Sequence, residues 1–424
     1  MFLSKINIKN FKCFAESSIE LHPRMNVFLG INGVGKTALL DAIALSLGGY
    51  LSKVKMSSLK LSKESARCVS QKIGNTLEKQ LQFPVELEIS GKLAGRDISW
   101  KRVWELKSSG ELNSTTKYET EFEVQSFTQA DDELHIYPLL AYYGVYNVKQ
   151  TSEKTIRDGD SSRILGYKNC LDLKLNNEQR LHWFQQKTLQ SLQDAITLPE
   201  LKATLCAMEK CVEGVMLTAK SIEVRYGAKS SNLEILYTDK SDKQQIQPFS
   251  ELSDGYRKIL NLVADIACRM AILNPHLLGQ TLNKTPGIVL IDEVDLHLHP
   301  SWQRRVLHDL MAIFPKIQFI VTTHAPAIIQ SVNEGNLAVL DRDQVYPNQK
   351  AYGKDFNSVL KQIMGTDARP KEIQLMFDAA YKLIDKGNIV EATQKVEELE
   401  RILGNSDPEI TGLNVTLELE KLEM

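Results

Sequence analysis

The sequence predicts an α/β protein, and three observations carry that expectation. Residues 25–29 form a short apolar run that stops at Gly30, and Leu39, Leu40, Ile43 and Leu47 follow at helical spacing. Residues 287–291 form a second apolar run, closed by Asp292 and Glu293. Between 254 and 340, helical and strand-like stretches alternate, as in a sheet covered by helices.

The elements follow in order. Phe2, Ile6 and Ile8 alternate with Ser4, Asn7 and Lys9, a strand signal, and 18–21 reads as a second strand. Gly48 and Gly49 are expected to stop the helix that begins after the Gly30 loop. In residues 51–80, Lys53, Lys55, Lys60, Lys63, Arg67, Lys72 and Lys79 stand against only Glu64 and Glu78, a balance of +5. A solvated loop and helix is one reading of this stretch, and a surface for nucleic acid or an acidic partner is the other. Residues 84–128 alternate in hydrophobicity and predict an antiparallel β part that 137–143 continues. Residues 150–175 are polar and irregular, helices are expected at 177–196 and 198–217, and strands return at 221–226 and 232–237. A long helix at 254–273, a strand at 287–291, a helix at 301–313, a strand at 317–322, a short helix after Pro326 and a strand at 336–340 complete the pattern. From 370 the chain turns helical, with breaks at Gly387 and 404–408 and with Ile389, Ala392, Val396, Leu399 and Leu403 on one face. Residues 391–424 carry nine acids against three bases, which suits an appendage that contacts another molecule.

The 424 residues leave room for two or three domains. With 43% hydrophobic and 25% charged residues the composition is that of a soluble globular protein. No run approaches the roughly 18 apolar residues of a membrane span, and no signal peptide is expected. Cys13, Cys68, Cys170, Cys206, Cys211 and Cys268 form no CxxC pair, so they read as reduced thiols of a cytoplasmic protein. A net charge of −2 means that any nucleic-acid surface is local.

Gly30, Ile31, Asn32, Gly33, Val34, Gly35, Lys36 and Thr37 satisfy GxxxxGK(S/T), and Ala38 opens the helix behind them. Glycines let backbone N–H groups turn towards phosphates, and a helix N-terminus presents its dipole to the anion. A lysine at the position of Lys36 suits the β- and γ-phosphates of ATP, and the Thr37 hydroxyl suits Mg²⁺. Asp292 is suited to the same Mg²⁺ through water, and Glu293 to orienting or deprotonating an attacking water. These residues predict ATP binding and hydrolysis.

Further features narrow the class. Leu252, Ser253, Asp254 and Gly255 open the long helix, Ser253 and Asp254 also fitting a helix cap. Asp295 follows the carboxylate pair, and His324 ends the strand at 320–324. In this order the features resemble the ABC-type ATPases, within them the RecF, SMC and OLD-like branch, and residues 8–12 resemble its opening. The resemblance implies an ABC-type P-loop ATPase head with a mixed sheet core, an antiparallel β subdomain, a helical insertion and a C-terminal helical appendage. It implies that two heads sandwich two nucleotides, so Ser253, Asp254 and Gly255 reach the γ-phosphate held by the other subunit. It also implies that His324 senses that phosphate and Asp295 couples the two sites. The glutamine loop of the family has three candidates, Gln125, Gln129 and Gln150. His297 and His299 invite a metal reading, but their spacing and the lack of a third ligand favour a packed turn.

Residues 138–144, 291–300 and 352–373 resemble a bacterial family of compact AAA-type ATPases in antiphage defence, the Septu ATPase subunits, also found with some retrons. That family often has an arginine soon after Tyr142, Tyr143 and Gly144, whereas this chain offers only Lys149. The resemblance implies a separately encoded HNH-type endonuclease as partner, a homo-oligomer, possible contact with nucleic acid, and no membrane. Asp341 and Asp343 offer a DxD, but too little chain follows for a nuclease domain, so they read as the end of the last core strand. The expected division is 1–150 and 221–365 for the two lobes of the head, 151–220 for the helical insertion and 366–424 for the appendage. A RecF-like repair ATPase without a nuclease, and a nucleotide-dependent scaffold with negligible turnover, are the competing functions.

Overall fold

The computed structural model describes residues 1–56, 59–73, 76–120, 135–144, 163–172, 177–213, 219–227, 232–367, 369–404 and 406–423. Gln125, Gln129, Gln150 and Lys149 lie outside the described residues. Two compact units are present, Met1–Gly353 and Lys354–Met424.

The first unit opens with β1 (Phe2–Phe11), β2 (Phe14–Glu20) and β3 (Met25–Leu29), followed by the glycine loop and α1 (Lys36–Lys53). All five residues of β3 are buried, as its unbroken apolar run requires. Helix α1 does not stop at Gly48 and Gly49 but runs through them to Lys53. The reason is tertiary. A side chain on Gly49 would collide with the indole of Trp100, whose Nε1 donates to the Ser46 carbonyl at 2.8 Å. The Tyr118 hydroxyl donates to the Gly49 carbonyl at 2.9 Å, and Arg102 donates to that of Leu45. The glycines therefore admit a close neighbour instead of ending the helix.

The basic stretch holds a hairpin, β4 (Cys68–Ile73) and β5 (Thr76–Leu81), where a loop and helix was one expectation. Val69 is half-buried between exposed Cys68 and Ser70, a period of two that suits a strand. Next come β6 (Val85–Leu93), β7 (Arg96–Leu106), β8 (Leu112–Tyr118) and β9 (Leu139–Tyr143). β1, β2, β6, β7 and β8 form an antiparallel sheet in the order β2-β1-β6-β7-β8.

Helices α2 (Asn177–Gln193) and α3 (Pro199–Glu213) precede the antiparallel strands β10 (Ala219–Gly227), β11 (Asn232–Asp239) and β12 (Gln244–Pro248). Then follow α4 (Asp254–Leu273), α5 (Thr281–Lys284) and β13 (Gly287–Ile291). The helix expected at 301–313 is two pieces, α6 (Pro300–Gln303) and α7 (Val306–Ile313), because Arg305 leaves helical geometry at φ −124°. Strand β14 (Ile317–Thr323), helix α8 (Pro326–Ile329), β15 (Asn336–Asp341) and β16 (Gln344–Tyr346) finish the unit. Asp341 and Asp343 flank the β15–β16 turn at Arg342.

The central sheet has the order β16-β15-β3-β14-β13-β9 and is parallel except for β16. Its register aligns the carboxyl ends, with Leu29 beside Thr323, and Ile291 beside both Val321 and Tyr143. Residues that follow these strands therefore gather along one rim, where open α/β sheets bind ligands.

The second unit contains α9 (Phe356–Gln362), α10 (Lys371–Asp385), α11 (Ile389–Leu403) and α12 (Pro408–Glu423). Phe377, Ala380, Ile384, Ala392, Val396, Leu399, Ile410, Leu413 and Leu417 form its own core. Arg369 binds Asp407 at 2.8 Å and Glu409 at 3.0 Å, fastening the approach to α10 onto the start of α12. Among the described residues, no helix is long and apolar enough to cross a membrane.

Candidate functional site

The glycine loop leaves β3 and enters α1 through Gly33 at φ 80° and Gly35 at φ 111°, left-handed conformations that glycine adopts without strain. Gly35 also lies against Cys13 too closely for any side chain. Lys36 is buried, and its ammonium donates to the carbonyls of Gly30 at 2.9 Å and Ile31 at 3.0 Å. Burial pushes its pKa below the usual lysine value, opposed by the carboxylates of Asp292, Glu293 and Asp295. Ile31, Asn32 and Gly33 are exposed, so the loop faces solvent.

Asp292 joins the loop to the sheet. Its Oδ2 accepts from the Thr37 hydroxyl at 2.7 Å, and its Oδ1 accepts from the Thr322 hydroxyl at 2.6 Å. Its own N–H donates to the Tyr143 carbonyl at 2.8 Å. A threonine hydroxyl beside a carboxylate is a hard oxygen set, suited to Mg²⁺ that keeps waters and takes its other ligands from phosphates. The described residues contain no cluster of three His, Cys, Asp or Glu placed to hold a metal by themselves.

Glu293 has a positive φ of 49°. Its N–H donates to Thr322 Oγ1 at 2.8 Å and its carbonyl accepts from Lys258 at 2.8 Å. Asp295 Oδ1 accepts from the Thr323 hydroxyl at 2.7 Å and from the His324 N–H at 3.3 Å. His324 Nε2 is buried without a hydrogen-bond partner. Burial, then the neighbouring Lys36 charge, lower the His324 pKa, and the three carboxylates oppose them. The imidazole is thus neutral near pH 7, able to offer or accept a proton at a buried nitrogen.

Ser253 occupies the cap position of α4, yet its side chain makes no cap hydrogen bond, contrary to the expected capping role. Asp254 instead pairs with Arg257. Ser253 and Asp254 are exposed, and Gly255 is buried against the carbonyl of His297. His297 itself has φ 65°, and His299 accepts from the Ser301 N–H at 3.3 Å as the cap of α6.

The structure thus brings Gly30, Lys36, Thr37, Asp292, Glu293, Asp295 and His324 to one rim. The Ser253 turn packs behind the carboxylate loop. Sequence reasoning missed Thr322, which touches both Asp292 and Glu293, and Lys258, which holds the Glu293 carbonyl. It also missed Asp41, which takes a hydrogen bond from Tyr142 at 2.9 Å and pairs with Lys12 behind the loop. Thr322 could have been suspected from its place before His324, whereas nothing local marks Lys258.

A family model described as AAA domain matches residues 5–212, and a second AAA-domain model matches 171–330. The chain is 26% identical to "Retron Ec83 probable ATPase" of Escherichia coli, over 99% of this chain and 86% of that protein. It is 27% identical to "Septu protein PtuA" of Bacillus mycoides, over 90% of this chain and 47% of that one. The DNA replication and repair protein RecF of Lactococcus lactis is 33% identical, but over only 22% of this chain and 25% of RecF. With its glycine loop, its carboxylate strand and a parallel central sheet beside a separate antiparallel one, the chain carries AAA-domain matches and is similar along most of its length to a retron probable ATPase and to Septu protein PtuA.

Proposed function

We propose that this chain binds ATP and Mg²⁺ between two copies of its head, hydrolyses the ATP, and so controls a separately encoded HNH-type nuclease in a cytoplasmic antiphage-defence complex. The observation that carries the reading is Asp292, whose two oxygens tie Thr37 of the phosphate loop to Thr322 of the neighbouring strand. That arrangement joins the phosphate loop to the carboxylate strand within one head, the half of the site that each copy contributes.

Gly30, Asn32, Gly33, Val34, Gly35, Lys36, Thr37 and Ala38 form the nucleotide cradle. Thr37 and Asp292 would hold Mg²⁺, which when bound neutralises phosphate charge. Glu293 takes the proton of the attacking water, and His324 donates to the γ-phosphate from its neutral ring. Ser253, Asp254 and Gly255 serve the nucleotide of the opposing head, which suits an exposed serine that caps nothing in its own helix. Asp295 carries the state of one site to the other. Similarity along nearly the whole chain to a retron ATPase, against a short match to RecF, favours the defence reading over a repair ATPase.

The test is to co-express the chain with the product of its adjacent gene and measure the mass of the purified complex with and without ATP. A nuclease-containing assembly whose head count changes with ATP is expected. An ATP-independent monomer without a nuclease would overturn the reading.

A further inference from the structure

The signature helix and the carboxylate loop are fastened to each other within one head. Lys258 lies in the second turn of α4, one turn beyond Gly255. Its Nζ donates to the carbonyl of Glu293 at 2.8 Å and to that of Leu296 at 3.4 Å. Gly255, at the start of the same helix, has no room for a side chain because the His297 carbonyl lies against it. Two points on α4 thus grip the main chain between 293 and 297.

What they grip is strained backbone. Glu293 at φ 49° and His297 at φ 65° are both non-glycine residues in the left-handed region. Such conformations persist only where the surroundings over-determine them. At Glu293, Thr322 accepts from the N–H, and the carbonyl accepts from Lys258 at 2.8 Å and from the Leu296 N–H of the same loop at 3.1 Å. The Leu296 bond lies within the loop itself, so Lys258 is the contact that ties the Glu293 carbonyl to α4.

We propose that Lys258 is a positioning residue for ATP hydrolysis, holding the Glu293 peptide so that its carboxylate meets the attacking water, and linking that peptide to the helix that carries Ser253. The link follows from covalent continuity. Ser253 would serve the opposing nucleotide and Glu293 its own, so a shift of α4 when Ser253 engages moves the Glu293 carbonyl through one side chain. Burial pushes the Lys258 ammonium down to about 8, opposed by Asp295, Glu293 and Asp292. A cation kept at that depth for main-chain carbonyls is costly unless the geometry it fixes is needed. The inference rests on the hydrolysis reading above.

The test is Lys258→Met, which keeps length and loses the donor, made alone and combined with Glu293→Gln. Displacement of a catalytic group by about 1 Å costs on the order of 10²-fold in rate. K258M is therefore expected to lower kcat by about tenfold to a hundredfold with KM for ATP little changed. In the E293Q background, K258M should lower the residual rate no further, because residues acting as a unit are non-additive. K258R, which restores a donor, should regain part of the lost rate, including where K258M folds poorly. Unchanged kcat in K258M, an additive loss in the double variant, or a K258R as slow as K258M each overturns the positioning role. Absence of turnover in the unsubstituted protein would instead overturn the hydrolysis reading itself.

Discussion

Thr37 and Asp292 meet through a 2.7 Å hydrogen bond although 255 positions separate them. The sheet order explains the meeting. β3 and β13 both flank β14, so the residues beyond their carboxyl ends converge around Thr322 and Thr323. For the proposed Mg²⁺ site, the bond sets the two oxygens side by side, which lowers the ordering cost of binding.

Lys36→Ala should weaken ATP binding by at least about tenfold, since a charge-assisted hydrogen bond contributes about 1.5–3 kcal/mol. Titration with a fluorescent ATP analogue measures this. Undiminished affinity would remove the phosphate-loop assignment.

Glu293→Gln should bind ATP normally and lose turnover by about 10²–10⁴-fold, the usual contribution of a general base. Phosphate release and native mass read the two effects together, with a head dimer accumulating in ATP. Turnover at the original rate would deny Glu293 its role.

Ser253→Arg should leave folding and single-head ATP binding intact, because Ser253 is exposed and caps nothing. ATP-driven association should be lost, as a bulky cation replaces a small hydroxyl. Light scattering with and without ATP decides it, and unimpaired association would refute the two-head arrangement.

His324 has a folded pKa below its ordinary value of about 6.5, because burial and Lys36 disfavour the imidazolium. The unfolded chain then binds more protons across that window, so stability falls as pH drops through it. The contribution is fully present above about pH 6.5. Melting of the nucleotide-free protein from pH 7.5 down to 5 at about half-unit steps should show a decline that His324→Gln reduces. Identical pH profiles for both proteins would contradict the buried neutral imidazole.

Gly49→Val should destabilise the protein by at least about 1–3 kcal/mol, the range for overpacking, since its side chain would enter the indole of Trp100. Thermal unfolding against a surface control such as Gly95→Ala is not a clean comparison, because Gly95 has φ 83°, so Gly412→Ala in open helical space serves instead. A Gly49→Val melting temperature equal to that of the unsubstituted protein would remove the close-packing explanation for α1.

By itself the sequence picked out the residues that the structure gathers along one rim. The glycine loop, the carboxylate pair and the histidine after the next strand are each short patterns whose residue types suit phosphate, metal and water, so they are legible without a fold. It also determined the buried strands and the long α4, whose bounds of Asp254–Leu273 agree with the 254–273 expected. Tertiary structure alone decided that α1 runs through Gly48 and Gly49, because the cause is Trp100, about fifty positions away. It alone decided that the basic stretch includes a hairpin, whose weak alternation could not be told from a solvated face. It alone showed Ser253 free of its cap and Lys258 on the Glu293 carbonyl, 35 positions off. Local patterns report what a residue can do within one turn of helix or one strand. Which partner it meets depends on sheet order and register, and these are set by burying many side chains at once.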